Sequence, residues 1–393
     1  MKVALVSPYD YATPGGVNEH VRHLALHLRA LGHEVTELAP ASRHHDESEH
    51  FRRIGGVVPV PANASVARIN LTFRHQGAVA DLLQRERFDV VHLHEPFMPA
   101  LPLTMLRSSR TANVGTFHAY ARRNLGYYYA RGVLGHYLRR LHATVAVSEP
   151  AREFVRHYFP AADPTVIPNG VEVDRFRPGH SPIRHLRDDR VNFLFVGRLE
   201  KRKGLSDLLR GFEEAHAREP KTRLIIVGEG PMRRQLEAFV QDRRIDSVVF
   251  AGRVPAEVLP RYHATADVQC ATATGGESFG IVLLEGMASR LPVLCTEIAG
   301  YLSVVQAGVD ALTVRPHRPV EIGAAIVVLA RDPFLRQRLG EAGLRAARER
   351  FAWRVVTTRL LEIYQLARRA HGQPDGGAKE VDWRAHDALP GVG

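Results

Sequence analysis

The chain has 393 residues, of which 45% are hydrophobic and 24% charged, and its formal net charge is +11. This composition is that of a soluble globular protein, and the length favours two domains of about 170 to 200 residues. No apolar run approaches the roughly 18 to 20 residues that span a bilayer, and the N-terminus lacks a signal-peptide pattern, so we expect a cytoplasmic protein. The two cysteines, Cys270 and Cys295, suggest neither a disulfide framework nor a zinc site, and we expect both to be buried core thiols.

Strands and helices alternate along the first half of the chain. KVALVSPY is a short apolar strand, YATPGGV is a glycine loop, and Val17, Val21, Leu24 and Leu28 follow at helical spacing. The strand-like segments EVTEL, FDVVHLH, ANVGTFH, ATVAVS and TVIP come next, with helical stretches between them. This alternation predicts βα units and a parallel sheet.

A basic segment lies within this half. RRNLGYYYARGVLGHYLRR, residues 122–140, has five arginines and three consecutive tyrosines but no acidic residue. Nucleic acid, anionic lipid and anionic small molecules are all compatible partners, and so is a solvated basic face around a tyrosine-rich core helix.

The alternation breaks at Ile167, where IPNGVEVDRFRPGHSPIRHLRDD carries turn-forming and polar residues. It restarts with VNFLFVG, TRLIIVG, SVVFAG, ADVQCA, LPVLCT and DALTV. We therefore predict an α/β protein with two doubly wound Rossmann-like domains, residues 1–172 and 186–350. We expect these to face a central cleft, since ligands bind beyond the carboxyl ends of parallel strands. A helix at 353–370 is expected to pack back on the first domain, and 371–393 reads as a flexible tail.

Several loops at predicted strand ends suit an anionic ligand. Gly15 and Gly16 stand where a helix begins, so its exposed amides can approach a phosphate. VGRLEKRKG places Arg198 and the cations at 201–203 in one loop, where their repulsion is costly unless an anion or solvent relieves it. VGEGP and AGRVP, at 227–231 and 251–255, are two further glycine junctions with room for a base or ribose. Each of these signals is weak by itself.

The segment GGESFGIVLLEG, residues 275–286, is the most specific feature. Its glycines free the backbone, and a helix beginning at Phe279 to Ile281 can present amides to a phosphate. Glu277 precedes this helix, where it could serve as a cap, whereas Glu285 lies in an apolar run and needs donors to satisfy its carboxylate. Sugar or ribose hydroxyls are such donors.

Taken in order, PGGV, HEP (94–96), TFH (116–118), IPNGV (167–171), GRLEKRKG (197–204), VGEGP and GGESFGIVLLE resemble the retaining glycosyltransferases of family 4, which have the GT-B fold. The resemblance covers about residues 1–370. Within the family, SPYDYATPGGVNEHV, VPVPANASVAR and TFHAYARRN look closest to the phosphatidylinositol mannosyltransferases.

The resemblance implies a role for individual residues. Arg198 and Lys203 would neutralise the donor diphosphate as it leaves, Glu285 would bind the ribose, and Glu277 and His118 would contact the sugar. The implied catalytic residues are His118, Glu277, Arg198 and Lys203, and the implied donor-binding residues are Gly16, Arg198, Lys203, Arg253, Val254, Glu277, Phe279, Gly280, Ile281 and Glu285. Asn18 and Arg68 are the implied acceptor-binding residues.

The acceptor region departs from the closer relatives. Asn18 stands where they usually have glutamine, Ala62 where they tend to have tyrosine, and Phe97 where they tend to have asparagine. The helix predicted at residues 71–87 is also less basic than the membrane-docking helix of that group. Arg122, Arg123 and Arg131 could supply attraction to anionic lipid of about 1 kcal/mol each near the membrane surface.

The resulting expectation is a retaining transfer of mannose from GDP-mannose to a phosphatidylinositol-like lipid, at the inner face of the cell membrane. A UDP-sugar with another lipid or a soluble acceptor is the alternative within the family. We expect no metal, because there is no D-x-D stretch and His92-x-His94-Glu95 lies along a core strand. We also expect no cofactor and no nucleic acid. A glycoside hydrolase that uses both glutamates and a purely binding protein are the competing classes.

Overall fold

We describe a computed structural model, and the description covers residues 1–13, 15–42, 48–62, 65–69, 75–120 and 125–372. The chain forms two compact units. Among the described residues, the first combines Met1–Gly170 with the Trp353–Ala370 helix, and the second is Val171–Ala352.

The first unit is built on a parallel sheet. Its strands are β1 Lys2–Val6, β2 Glu34–Ala39, β3 Phe51–Arg53, β6 Val90–His94, β7 Ala112–Phe117, β8 Ala143–Ala146 and β9 Thr165–Val166, while β4 Val58–Ala62 and β5 Ser65–Ile69 form a separate antiparallel hairpin. The sheet order is β3-β2-β1-β6-β7-β8-β9. The helices of this unit are Gly16–Ala30, Gln76–Glu86, Leu101–Ser108, Leu125–Leu138, Glu149–Tyr158 and Trp353–Ala370. The sequence pattern did not predict β3 or the hairpin.

The second unit repeats the plan. Its strands are β10 Val191–Val196, β11 Thr222–Val227, β12 Val248–Gly252, β13 Val268–Ala271, β14 Val293–Thr296 and β15 Ala311–Val314, in the parallel order β12-β11-β10-β13-β14-β15. The α-helices are Leu205–Arg218, Arg233–Asp242, Leu259–Thr265, Ile281–Ala288, Ala299–Leu302, Pro319–Arg331 and Pro333–Ala346. Short 3₁₀ turns lie at Arg184–Leu186 and Lys201–Lys203, and a π-helical turn lies at Ala347–Phe351.

Both sheets are covered by helices on their faces, which explains the apolar strands. The residues of β6 and β7 are buried throughout, as expected where a parallel sheet has no solvent-facing side. In the first unit the Trp353–Ala370 helix packs beside β7 and β8, and its Val356, Leu360 and Tyr364 belong to the buried cluster of this sheet. In the second unit Cys270 and Cys295 are buried free thiols, which confirms their prediction as core residues.

The Asn169-Gly170 turn is held by tight packing. A Cβ atom on Gly170 would lie 2.4 Å from Cδ2 of Trp353, so no side chain fits at this position. Asn169 is buried and its Oδ1 lies 2.8 Å from Nδ1 of His20. The turn is therefore fixed at the point where the chain leaves the first unit.

In each sheet the strand order reverses next to the first strand. The chain moves outward in one direction from β1 and β10, and in the other direction from β6 and β13. Crevices beyond the carboxyl ends of such strands are the usual ligand sites of open α/β sheets. Ligands are therefore expected at the loops after β1, β6, β10 and β13.

Candidate functional site

The cationic loop of the second unit follows β10 at this reversal point. Lys201–Lys203 forms a single 3₁₀ turn, which ends at Gly204 with φ +69°. A Cβ atom on Gly204 would lie 1.8 Å from the carbonyl oxygen of Thr272, so the loop is seated directly against the chain that follows β13. Thr274 N donates to the carbonyl of Arg202 at 2.8 Å, which joins the two loops.

Carboxylates within the protein pair with these cations. Glu200 lies 3.0 Å from Nη2 of Arg198 and 3.1 Å from Nε of Arg202. Glu277 pairs with Arg202 and lies 2.7 Å from Nζ of Lys203. The repulsion expected among the cations is thus partly relieved by internal carboxylates, which the sequence reasoning did not foresee. Arg202 was expected among these cations without a role of its own, and it pairs with both carboxylates.

The loop 275–280 is shaped by glycines that no other residue can replace without strain. Gly280 has φ +104°, and a Cβ atom there would lie 2.6 Å from Cε1 of the buried Tyr301. A Cβ atom on Gly300 would lie 2.1 Å from the carbonyl oxygen of Glu277. These contacts fix the backbone of Glu277 beside the cationic loop.

The helix after this loop begins at Ile281, with Gly280 as its N-cap and no side-chain capping bond. This start lies at the end of the range Phe279 to Ile281 that the sequence predicted. The Phe279 side chain is buried and lies edge-on to Phe351, with ring centroids 6.1 Å apart. Glu277 does not cap the helix, because its carboxylate pairs with Arg202 and Lys203.

Glu285 lies in the second turn of this helix, and its side chain is 18% exposed. Its Oε2 is 4.0 Å from Nε2 of His263, a fully buried residue that the sequence reasoning missed. Burial lowers the pKa of His263 to about 4, so this imidazole is neutral at physiological pH and the contact is not an ion pair.

Arg253 and Val254 follow β12, two strands away from the cationic loop in the sheet. Arg253 is exposed and Val254 is half-buried. The preceding Gly252 accepts a backbone hydrogen bond from Gly228 at 2.8 Å, so the two glycine junctions after β11 and β12 are adjacent.

In the first unit, His118 follows β7 directly and is 7% exposed. Its backbone N–H and that of Ala119 each donate to Oε1 of Glu95 at 2.6 Å. Burial raises the pKa of Glu95 to about 7, although the two N–H donors oppose the rise. The backbone of Glu95 is strained, with φ +52°. Its buried carboxylate fixes the backbone that carries His118.

His118 belongs to a group of buried imidazoles. Its Nε2 is 2.9 Å from Nδ1 of His94, and the His20 ring lies edge-on to both. His92 lies beside His94, with ring centroids 4.3 Å apart, and its nitrogens meet the hydroxyls of Tyr364 and Thr116. Burial lowers the pKa of His20 to about 4 and of His92 to about 3, so these rings are neutral.

The remaining predicted residues of this unit have different surroundings. Gly16 is exposed at the start of its helix, after Gly15 as N-cap. Asn18 is buried: it accepts from Ser7 Oγ at 2.7 Å and donates to the carbonyl of Asp10 at 2.8 Å, which holds the loop after β1. The side chain of Arg68 is 53% exposed and lies 3.9 Å from Asp10.

Some predicted features lie outside the described residues. These are Arg122, Arg123, residues 71–74 of the expected helix, the side chain of Ala62 and residues 373–393. Phe97 is a core residue, packed against the rings of Phe117 and Phe159. Within the described part of the chain, the helices are too short or too polar to cross a membrane.

Comparison with known proteins decides the family. The profile described as Glycosyltransferase Family 4 matches residues 14–175, and that described as Glycosyl transferases group 1 matches residues 178–346. The phosphatidyl-myo-inositol mannosyltransferase of Mycobacterium leprae is 34% identical over 369 residues, which are 93% of this chain and 96% of the relative. The chain belongs to glycosyltransferase family 4.

This family 4 glycosyltransferase has further relatives of near-full length. The phosphatidyl-myo-inositol mannosyltransferase of Propionibacterium freudenreichii is 30% identical and covers 98% of this chain and all of its own. Among solved structures, a Rickettsia africae glycosyltransferase gives a TM-score of 0.74 at 16% identity, covering 93% of this chain and 98% of its own. Anabaena HepE in complex with UDP gives 0.75 at 18% identity, covering 92% and 99%. These likenesses confirm the predicted GT-B fold class of the enzyme.

Proposed function

We propose that this glycosyltransferase moves mannose from GDP-mannose to a phosphatidylinositol-like lipid. The observation that carries the proposal is the arrangement at the reversal point of the second sheet. There the cations Arg202 and Lys203 converge on Glu277, immediately before a helix N-terminus. Cations and helix amides suit a diphosphate, whereas the nearby carboxylates suit sugar and ribose hydroxyls.

The names of the relatives support the donor and the acceptor. The near-full-length relatives are named phosphatidyl-myo-inositol mannosyltransferases. A Mycolicibacterium smegmatis relative, 34% identical over 55% of this chain, is named a GDP-mannose-dependent phosphatidylinositol monomannoside mannosyltransferase. Carried to this chain, these names give GDP-mannose as donor and an inositol phospholipid as acceptor.

The ion pairs suggest how the donor would be held. Lys203 is 17% exposed and Arg198 is 62% exposed at the side chain, so both can be reached by a ligand. A bound diphosphate would share Lys203 and Arg202 with Glu277 and would draw Arg198 from Glu200. The cations would stabilise the charge that the leaving diphosphate gains in the transition state, a task that many enzymes give to a metal.

The chemistry of the transfer follows from these roles. We propose a front-face displacement with retention, in which the departing phosphate accepts the proton of the lipid hydroxyl. No protein nucleophile and no metal take part. Glu277 and His118 position the sugar, Glu285 binds the ribose, and Gly16, Arg253, Val254, Phe279, Gly280 and Ile281 line the donor through main-chain contacts.

Asn18 and Arg68, the two predicted acceptor-binding residues, differ in how accessible their polar atoms are. The exposed Arg68 can reach an acceptor phosphate, whereas the polar atoms of Asn18 are engaged in holding the loop after β1. Arg68 therefore contacts the lipid headgroup in this proposal, and Asn18 acts by shaping the loop.

An anionic membrane surface is the proposed site of action, on the cytoplasmic side. The helix Leu125–Leu138 exposes Leu125, Tyr129 and Val133 at 68%, 80% and 65%, and the Arg131 guanidinium lies 5.1 Å from the exposed Tyr128 ring. Residues 96–148 contain seven arginines and no acidic residue. Aromatic and apolar side chains with arginines at the rim suit the headgroup region of anionic lipid.

A transfer assay tests the proposed function. Purified enzyme is incubated with radiolabelled GDP-mannose and phosphatidylinositol vesicles, and labelled lipid is the expected product. In parallel, GDP should raise the melting temperature more than UDP at equal concentration. Transfer only from a UDP-sugar, with matching protection by UDP, would establish the alternative donor. A folded enzyme that transfers from neither would refute the proposal.

Vesicle sedimentation tests the membrane surface separately. Binding to phosphatidylglycerol vesicles should exceed binding to phosphatidylcholine vesicles and should fall with added salt. Tyr129→Ser with Val133→Ser should weaken it, whereas Phe334→Ser, which removes an equally exposed side chain from the second unit, should not. Equal loss in both variants would refute a role for this helix.

A further inference from the structure

Three buried imidazoles of the first unit surround one point. His20 comes from the helix Gly16–Ala30, His94 ends β6, and His118 follows β7. The ring centroids are separated by 5.3 Å between His20 and His94, 5.0 Å between His20 and His118, and 5.2 Å between His94 and His118. One nitrogen of each ring lies within 4.8 Å of the other two.

This triangle has the dimensions of a tetrahedral three-histidine metal site. With a zinc–nitrogen distance of about 2.0–2.1 Å, each ring centre lies about 3.2 Å from the ion, and at tetrahedral angles the ring centres are about 5.2 Å apart. The ligating nitrogens must then be about 3.3 Å apart, which requires each to move by less than about 1 Å. His94 Nδ1 and His118 Nε2, at 2.9 Å, are already this close.

The hydrogen bonds leave nitrogen atoms available to a ligand. Nδ1 of His20 meets the amide oxygen of Asn169, which can only accept, so this nitrogen carries the proton and Nε2 presents a lone pair. Within the described residues, Nε2 of His20 and Nε2 of His94 have no hydrogen-bond partner, and both are buried. Nδ1 of His94 and Nε2 of His118 share one proton in their 2.9 Å contact, and this proton must move to the other nitrogen of its own ring before both atoms bind one ion. Metal-binding histidines usually donate their second ring N–H to a carboxylate, a backbone carbonyl or water, and the Asn169 amide oxygen is a comparable acceptor for His20.

We propose that His20, His94 and His118 form a binding site for one Zn²⁺ ion or a similar transition-metal dication. Neutral imidazoles favour Zn²⁺, Cu²⁺ and Ni²⁺, whereas Mg²⁺ and Ca²⁺ need oxygen ligands, so the site discriminates against the abundant dications. Three protein ligands leave the fourth tetrahedral position open to water or a substrate oxygen.

The consequence for activity rests on the proposed function. There His118 contacts the donor sugar, and transfer requires no metal. An ion held by this residue would withdraw the His118 imidazole from the sugar. Zn²⁺ is therefore an inhibitor of transfer, and its removal by a chelator leaves the enzyme fully active.

Metal titration of the full-length protein tests the site directly. After treatment with EDTA and desalting, Co²⁺ should bind in one tight equivalent with the intense visible absorption of tetrahedral cobalt, and Zn²⁺ should displace it. Asn169→Ala should weaken binding about 10–100-fold by releasing the His20 ring, and His20→Gln and His118→Gln should weaken it at least as much.

The chain has 21 histidines, so surface binding needs a control. His371→Gln removes a second imidazole pair, in which Nδ1 of His371 lies 3.1 Å from Nε2 of His142. This variant should keep the tight equivalent. Circular dichroism shows whether each variant is folded. If a variant of the three histidines is unfolded, the visible absorption of Co²⁺ in the wild-type protein tests the site instead.

Two results would overturn the inference: the absence of tetrahedral cobalt absorption in the wild-type protein, or wild-type affinity and spectrum in folded His20→Gln. Either outcome leaves the proposed function untouched, since the proposed transfer requires no metal. Conversely, a protein that binds Co²⁺ at this site but transfers no sugar would refute the proposed function alone.

Discussion

Replacing Gly280 with alanine tests whether the loop before the Ile281–Ala288 helix is built as described. The added Cβ atom would lie 2.6 Å from Cε1 of Tyr301, a fully buried side chain that cannot swing away. The residue also has φ +104°, which disfavours any side chain. Positive φ costs about 1–2 kcal/mol, and overpacking a core costs about 1–3 kcal/mol. Gly280→Ala should therefore lower the free energy of unfolding by about 2–5 kcal/mol.

Gly308 provides the matched control in the same unit. Its φ is +75°, but a Cβ atom there would meet no atom within 4 Å. Gly308→Ala should lower the free energy of unfolding only by the cost of positive φ, about 1–2 kcal/mol. The difference between the two variants then isolates the contact with Tyr301, which we expect to be about 1–3 kcal/mol.

Urea unfolding followed by far-ultraviolet circular dichroism measures both variants against the wild-type protein. Because the chain has two units, the transition is first checked for a single step, and it is fitted in two steps if the units unfold separately. If Gly280→Ala is no more destabilised than Gly308→Ala, the described contact with Tyr301 is wrong. Nucleotide binding should also fall in Gly280→Ala, because the helix N-terminus is displaced.

Three further predictions concern other parts of the chain. Glu95→Ala should reduce the free energy of unfolding by about 2–4 kcal/mol, because the backbone N–H groups of His118 and Ala119 lose their acceptor. Glu95→Gln keeps an acceptor and should lose less stability. Equal losses for the two variants in a denaturation assay would contradict this reason. Cys270 and Cys295 should not react with a thiol reagent until the protein unfolds, since burial raises both thiol pKa values. Rapid labelling of the native protein would contradict the burial of these thiols. Arg202→Ala should weaken nucleotide-diphosphate binding about 10–150-fold in calorimetry, as expected for loss of a charge-assisted hydrogen bond of about 1.5–3 kcal/mol. Unchanged affinity would mean that Arg202 serves only Glu277.

The sequence allowed the two α/β units to be predicted because parallel strands and amphipathic helices have strong local signatures. The apolar runs from KVALV to DALTV all became strands. Weak local signals were missed: β3 has only three residues, and the β4–β5 hairpin contains two prolines. β3 is too short to show the alternation of a strand, and the prolines of β4 argue against a strand in the sequence.

The sequence also indicated where glycine shapes the backbone, but it did not show which contacts require glycine there. GGESFG indicated an unusual backbone, yet only packing shows that Gly280 faces Tyr301 and that Gly300 faces the carbonyl of Glu277. The sequence placed the start of the helix only within Phe279 to Ile281, because it gives no sign that Phe279 turns into the core and that the helix begins at Ile281.

The partners of charged and polar side chains could be decided only by tertiary structure. Glu277 meets Arg202 across 75 positions of the chain, and His118 meets His94 across 24. The spacing of apolar residues in the sequence predicts which residues face a core, because burial follows the period of a helix or strand. It does not report which side chains meet where separate strands end, because that depends on the order of strands in the sheet. The sequence thus determined the chemistry of each loop, and the fold determined that a carboxylate shares its cations and that three histidines surround a single point.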